Sequence, residues 1–159
     1  MDQYKYLGSI VDNKLDWSAN AMALLKRGNQ RLYFLKKLKA FGVCPKLLEL
    51  FYKATTESVA TFNILGHFGS LKEHDKARLS RITKTASRLV GHPVAGLQSV
   101  FEDRAVRRLR AIQQDPTHPL WDELRSQTSD RSGRLISFKA RTERFRQSFL
   151  PTVIRLANS

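Results

Sequence analysis

The sequence predicts a mainly α-helical protein with a short β-hairpin or strand at its N-terminus, a bundle of three to four helices, and an irregular C-terminal segment that carries a short helix. Three observations predict this fold class. Apolar residues recur at helical spacing from Ser18 to Gln114. Glycine and proline break this stretch into helices with short connections. β-Branched and aromatic residues dominate the segment before it. We therefore expect three regions, at residues 1–17, 18–114 and 115–159.

The first region has the composition of a short hairpin. Residues 4–11 are β-branched and aromatic around one glycine, and residues 12–14 are turn formers. Because an isolated hairpin is only marginally stable in water, we expect it to pack on other elements.

The first helix should begin at Ser18, a suitable N-cap residue, and end at Phe41 and Gly42. Gly28 lies inside it and costs about 1 kcal/mol relative to alanine, so a close packing contact is expected there. The residues predicted to face inward share one helical face: Ala21, Leu25, Leu32 and Leu35.

Two further helices should complete the core of the bundle. The second starts at Pro45, a favourable first helical residue, and its predicted buried stripe is Leu47, Phe51, Ala54, Ser58, Phe62 and Leu65. The third runs from about Leu71 to Val90 and stops at Gly91. Its predicted inward residues are Leu79, Ile82, Ala86 and Leu89.

A fourth helix, about Ser99 to Gln114, should bury Phe101, Ala105, Leu109 and Ile112. The proline-containing linker 115–119 follows it. We expect one docked turn at Trp121 and Leu124, a loop at 126–134, and a final helix at 151–157.

The charge of the chain favours a polyanionic partner. It has 159 residues, with 28 Lys and Arg against 14 Asp and Glu, and a net charge of +14. This exceeds the roughly 2–8 charges typical of a small soluble domain. The basic excess extends along the whole chain, so it is not a detachable tail. We therefore favour nucleic-acid contact over a merely solvated surface.

Other features restrict the compartment and the chemistry. A single cysteine, Cys44, excludes an internal disulfide, and no apolar run is long enough to cross a bilayer. No signal peptide is recognisable, so an intracellular protein, cytoplasmic or nuclear, is expected. The histidines form no metal-binding spacing, no glycine-rich phosphate loop occurs, and the carboxylates have basic neighbours. We predict no catalytic residue, no metal and no cofactor, hence no enzyme.

Two helices carry basic faces suited to a phosphate backbone. The stretch from Lys26 to Lys39 has six basic residues and no acid, and that from Lys76 to Arg88 has five. A purely structural face usually mixes both signs. Tyr33 and Phe34 are placed to stack on bases or pack near sugars. The candidate nucleic-acid-binding residues are Lys26, Gln30, Tyr33, Lys37, Arg81, Lys84 and Arg88.

A second basic and aromatic cluster lies near the C-terminus, where Arg141 and Arg144 flank Phe145. Two interpretations are open: the cluster binds RNA, or it folds only within a larger protein.

The order of several motifs resembles a known family. They are residues 4–8 (Tyr-Lys-Tyr-Leu-Gly), 10–17, 31–38, 115–120 and 141–151. Together they are similar, over nearly the whole chain, to the C-terminal part of reverse transcriptases of LINE-type (non-LTR) retrotransposons. The resemblance implies that Tyr6, Leu7 and Gly8 belong to the primer grip and that the helices form a thumb-like bundle. The chain departs from the family at Asn63 and at residues 67–69, where the family often has Tyr and Cys-Trp-Gly.

The family's catalytic aspartates lie in the palm, upstream of the primer grip. The resemblance thus implies a non-catalytic fragment of an RNA-directed DNA polymerase. Its expected partners are RNA or an RNA–DNA duplex, bound without sequence specificity, and the palm domain.

The opening forty residues are also similar to a small domain family named after the N-terminal region of an AlkB-type alkylation-repair homologue. The iron-binding His-x-Asp pattern of that dioxygenase does not occur in the sequence. We interpret this likeness as a label borrowed from the LINE segment.

Two alternatives to a nucleic-acid-binding fragment stay open. One is a structural or protein-interaction module, including self-association, and the other is a gene remnant without function.

Overall fold

The computed structural model describes residues 3–158 and is mainly helical, with a two-stranded antiparallel hairpin at its N-terminal end. This confirms the predicted fold class. The chain divides into two compact units, Met1–Val100 and Phe101–Ser159. The predicted boundaries at 17/18 and 114/115 stay predictions. Between residues 3 and 158, no helix combines the length and the apolar character that crossing a membrane requires.

The hairpin consists of strand β1 (Gln3–Tyr6) and strand β2 (Ser9–Asp12), joined by a two-residue turn. Leu7 and Gly8 have φ angles of 45° and 87°. Two successive positive φ angles match the right-handed twist of a hairpin. As expected, the hairpin packs on other elements: the backbone N–H of Ile10 donates to Asn20 Oδ1 at 3.0 Å.

Helix α1 (Ser18–Ala40) stops before Phe41 and Gly42, as predicted, but its predicted N-cap, Ser18, is wrong. Trp17 occupies the N-cap position and makes no side-chain capping hydrogen bond. The Ser18 hydroxyl instead lies 2.7 Å from Asp16 Oδ1 and 3.0 Å from Asp75 Oδ2. Ser18 therefore bonds to a local carboxylate and to a distant one, and Asp16 also accepts its backbone N–H.

The buried face of α1 differs from the prediction at one position. Ala21, Leu32 and Leu35 are buried, but Leu24 takes the core position predicted for Leu25, which is partly exposed. Both leucines flank the same helical stripe, so spacing alone did not distinguish them.

The predicted second helix is interrupted. It comprises α2 (Pro45–Phe51), a π-helical segment (Tyr52–Glu57) and α3 (Ser58–Ala60). Asn63, with a left-handed φ of 48°, separates these from α4 (Ile64–His67) and a 3₁₀ turn (Phe68–Ser70). The predicted buried stripe is wrong, because Leu47 and Phe62 are exposed. The residues buried instead are Leu48, Tyr52, Thr56, Ala60 and Ile64. Wider π turns let a four-residue spacing stay on one face.

Helix α5 (Glu73–Val90) packs on α1. Leu79, Ile82 and Ala86 are buried as predicted, whereas Leu89 is partly exposed. Gly91, with φ 90°, ends the helix. A Cβ atom on Gly28 would lie 2.5 Å from Ile82 Cδ1, so α5 approaches the α1 backbone at the one residue without a side chain.

The remaining elements are α6 (Leu97–Gln114), α7 (Trp121–Ser126), α8 (Glu143–Arg146) and α9 (Phe149–Ala157). The four core residues predicted for α6 are buried, as is Leu124 in α7. The loop 126–134 is closed by a bridge between Thr128 and Leu135. The final helix begins two residues earlier than predicted.

Candidate nucleic-acid interface

Helices α1 and α5 lie side by side in parallel orientation. Near their first residues, the Ser18 hydroxyl contacts the Asp75 carboxylate. In the middle, Gly28 faces Ile82. Towards the end, Lys39 Nζ donates to the Arg88 carbonyl oxygen at 3.0 Å. Because the three contacts follow the same order along both helices, α1 and α5 run in the same direction. The exposed side chains beside this contact line are therefore neighbours.

An open groove of about 420 Å³ follows this helix pair towards its C-terminal end. We call it the α1–α5 groove; its lining residues are Asn29, Leu32, Tyr33, Lys36, Thr85, Arg88 and Leu89. The leucines form an apolar floor, while Lys36 and Arg88 supply positive charge from the two helices. Lysine and arginine beside an amide and a hydroxyl are suited to phosphate oxygens.

The groove exists because of the local sequence of α1. No acidic residue occurs between Ser18 and Ala40, so no carboxylate on this helix neutralises its cations. Gly28 allows close helix contact, and the longer side chains further along then form the groove walls.

The candidate residues of α1 are all exposed, but they do not share one site. Tyr33 lines the α1–α5 groove. Gln30 lines a second depression, together with Arg31, Tyr33 and Phe34. The Lys37 ammonium lies 5.6 Å from the centre of the Tyr33 ring.

The candidate residues of α5 are also exposed. Arg88 lines the α1–α5 groove, while Arg81 and Lys84 lie outside its lining, as does Lys26 on α1. The structure therefore brings Tyr33 and Arg88 together across two helices. Lys26, Arg81 and Lys84 are exposed outside the groove.

Sequence reasoning missed three polar residues of this groove: Asn29, Lys36 and Thr85. Lys36 belongs to the basic run from Lys26 to Lys39, and it follows Tyr33 by three residues. That spacing places both on neighbouring positions of one helix face. The side of α1 on which α5 packs was the missing information.

The hairpin turn does not contribute to the groove. Tyr6 and Leu7 are exposed, and Gly8 is held by two contacts. Arg27 Nη2 donates to the Gly8 carbonyl oxygen at 3.2 Å, and a Cβ atom on Gly8 would lie 3.3 Å from the Phe62 ring. The first contact attaches the turn to α1, and the second places it against the segment between α3 and α4.

An acid–base cluster joins the beginning of α1 to the segment before α5. Lys72 Nζ lies 2.6 Å from Asp16 Oδ2, and the Ser18 backbone N–H donates to Asp16 Oδ1. The hydrogen bond from Lys72 holds the pKa of Asp16 well below its usual value, and Asp16 in turn raises the pKa of Lys72. Both groups thus stay charged at neutral pH and help to align the helices.

Below the bundle surface lies one histidine, His67, with only 1% of its surface exposed. Its Nδ1 lies 2.8 Å from the Asn63 carbonyl oxygen, while Nε2 has no hydrogen-bond partner within residues 3–158. Burial lowers the pKa of His67, so the ring is neutral at pH 7. In the described part of the chain, no three His, Cys, Asp or Glu residues are grouped to hold a metal ion.

In the second unit, Arg141 and Arg144 are exposed. Phe145 makes an edge-on contact with Phe138, at 5.9 Å between ring centres. Thr142 caps α8 by accepting a hydrogen bond from the Phe145 backbone N–H. The proposed role of this basic cluster stays a prediction.

Comparison with protein families gives one match. The family described as "Alkylated DNA repair protein alkB homolog 8, N-terminal" matches residues 17–58, which include α1, α2 and the π-helical segment. This confirms the expected similarity of the opening segment to that family. The match covers less than half of the chain. Comparisons with curated proteins and with solved structures found no match.

Proposed function

We propose that this chain binds template–primer-like nucleic acid through the α1–α5 groove, as a non-catalytic segment similar to the primer grip, thumb and downstream part of a LINE-type reverse transcriptase. The expected ligand is RNA or an RNA–DNA duplex, held by its phosphates without sequence specificity. The motif order of the sequence supports the family, and the groove supports the binding mode. In this proposal, bond making belongs to a palm domain and not to this chain.

One observation carries the proposal: cations from two different helices, Lys36 and Arg88, line the same groove beside Tyr33. The ion pairs within residues 3–158 use other cations, among them Lys53, Lys72 and Lys76. A backbone phosphate entering the groove would meet positive charge on both walls, and the released counterions would favour binding.

The similarity to the AlkB homologue family fits this proposal. The matched residues 17–58 contain the whole α1 wall of the groove, including Asn29, Tyr33 and Lys36. We infer that the shared feature is this helical segment and that no alkylation-repair activity accompanies it. Incubating the chain with alkylated RNA and measuring demethylation tests this inference, because any turnover contradicts it.

Charge reversal in the groove tests the binding mode. Lys36→Glu and Arg88→Glu should each weaken binding to an RNA–DNA duplex at least about ten-fold, because a charge-assisted hydrogen bond contributes about 1.5 kcal/mol or more. The measurement is fluorescence anisotropy of a labelled duplex. Each lost phosphate contact should also reduce the salt dependence of binding by about one unit.

Lys46→Glu is the matched control. Lys46 is exposed in the first turn of α2 and lies outside the groove lining, so the variant has the same change of net charge at another place. Equal losses for Lys46→Glu and Arg88→Glu would show that net charge alone governs binding, and the groove proposal would be wrong.

Exposed apolar residues favour self-association as a second candidate. Phe41 is 82% exposed, Leu50 62% and Leu47 55%, and all three lie around the connection from α1 to α2. Sedimentation velocity over a concentration series distinguishes the candidates: a monomer at all concentrations contradicts self-association.

A further inference from the structure

Two consecutive aromatic side chains of α1 remain in contact with solvent. Tyr33 is 57% exposed and Phe34 is 55% exposed. Their ring centres lie 5.8 Å apart at an interplanar angle of 74°, an edge-to-face pair. Phe34 therefore contacts the Tyr33 ring, while more than half of the Tyr33 surface stays exposed.

This aromatic pair lies between two depressions. Tyr33 lines both the α1–α5 groove and the second depression, an open space of about 490 Å³. Lys36 and Arg88 line the first, and Arg31 lines the second. A chain that crosses Tyr33 would pass from one cationic depression to the other.

The Tyr33 ring also has a cation above it, since Lys37 Nζ lies 5.6 Å from its centre. Flat apolar surface surrounded by positive charge is complementary to a ligand with a flat ring and flanking negative groups. A single-stranded nucleic acid has this alternation at every nucleotide. A base in a continuous duplex is stacked on its neighbours and cannot present its face to a protein ring.

We propose that Tyr33, supported by Phe34, is a stacking platform for an unpaired nucleobase, with the neighbouring phosphates held by Lys36 and Arg88 on one side and by Arg31 on the other. The inference rests on the proposed function and specifies its ligand: a single strand, or a duplex with an unpaired end. Because every base has a π-face, the site tolerates any sequence.

The test separates stacking from charge. Two labelled RNA-like strands of equal length are compared by fluorescence anisotropy: one of uridines and one of abasic riboses with the same phosphates. Tyr33→Ala should weaken binding of the uridine strand about ten-fold and leave binding of the abasic strand unchanged, because only the base contacts the ring. Tyr33→Phe should retain both affinities.

Phe41→Ala is the matched control, because Phe41 is an exposed aromatic residue outside both depressions and should affect neither strand. Equal losses of both strands in Tyr33→Ala, or no loss of either, would overturn the stacking platform. In those cases a loss in Arg88→Glu would still support the groove. Failure of the unaltered chain to bind either strand would overturn the groove proposal as well.

Discussion

At the scale of single residues, the interior of the first unit contains a histidine, His67, whose protonation is determined by its burial. His67 is nearly inaccessible, contacts the Trp17 ring at 5.9 Å between centres, and has one ring nitrogen bonded to the Asn63 carbonyl oxygen. A neutral imidazole is stable in this environment, whereas a protonated imidazole would lose the hydration of its charge at a large cost in free energy. The pKa of His67 is therefore lowered by burial.

This lowered pKa predicts a loss of stability in mild acid. An unfolded histidine titrates near pH 6.5, and folded His67 titrates at a lower pH. Between these values the unfolded chain binds more protons, so the free energy of unfolding should fall as the pH drops below about 6.5, by up to about 1.4 kcal/mol per pH unit from this residue. Urea denaturation at about pH 7.5 and at about pH 5, on the two sides of the ordinary histidine pKa, measures this change.

His67→Gln is the comparison variant, because glutamine keeps an amide donor and does not titrate. Subtracting the pH dependence of the free energy of unfolding of this variant from that of the unaltered chain removes the contributions of the other histidines. An identical pH dependence for both would contradict the role of His67.

At the scale of elements, the register of α1 against α5 depends on one glycine. Gly28 is the only α1 residue without a side chain, and it faces the fully buried Ile82. Alanine would favour the helix by about 1 kcal/mol, but overpacking a filled core costs about 1–3 kcal/mol. We expect Gly28→Ala to destabilise the chain by roughly 1 kcal/mol, measured by urea denaturation.

The double variant Gly28→Ala with Ile82→Val isolates this contact. Valine lacks the Cδ1 atom that a Cβ on residue 28 would meet at 2.5 Å. The second substitution should therefore cost less in the Gly28→Ala background than in the unaltered chain, with a coupling of about 0.5 kcal/mol or more. Strict additivity would show that the two helices adjust elsewhere.

At the scale of the whole molecule, which has a net charge of +14, the number of phosphates that the chain neutralises determines how binding responds to salt. If about four to six phosphates are neutralised, the slope of log affinity against log salt concentration should be about −4 to −5. A salt series with the RNA–DNA duplex measures the slope. A value near zero would mean that apolar contacts, and not phosphates, dominate the interaction.

The sequence by itself determined the mainly helical fold class and the basic faces of α1 and α5. Helical spacing, Pro45, Gly42 and Gly91 located the ends of the main helices, because caps and breakers act locally. The basic runs also identified α1 and α5 as the cationic helices. The interruption at residues 52–63 was not predicted, because apolar residues flank that helix on several sides and spacing alone did not choose between them.

Only the tertiary structure decided which cations share a site. Lys36 entered the groove and Lys26 did not, because contact at Gly28 sets the side of α1 on which α5 lies. The Ser18 hydroxyl likewise bonds across to Asp75 instead of capping its own helix. Periodicity places residues on a helix face, but the packing of two helices determines which faces meet.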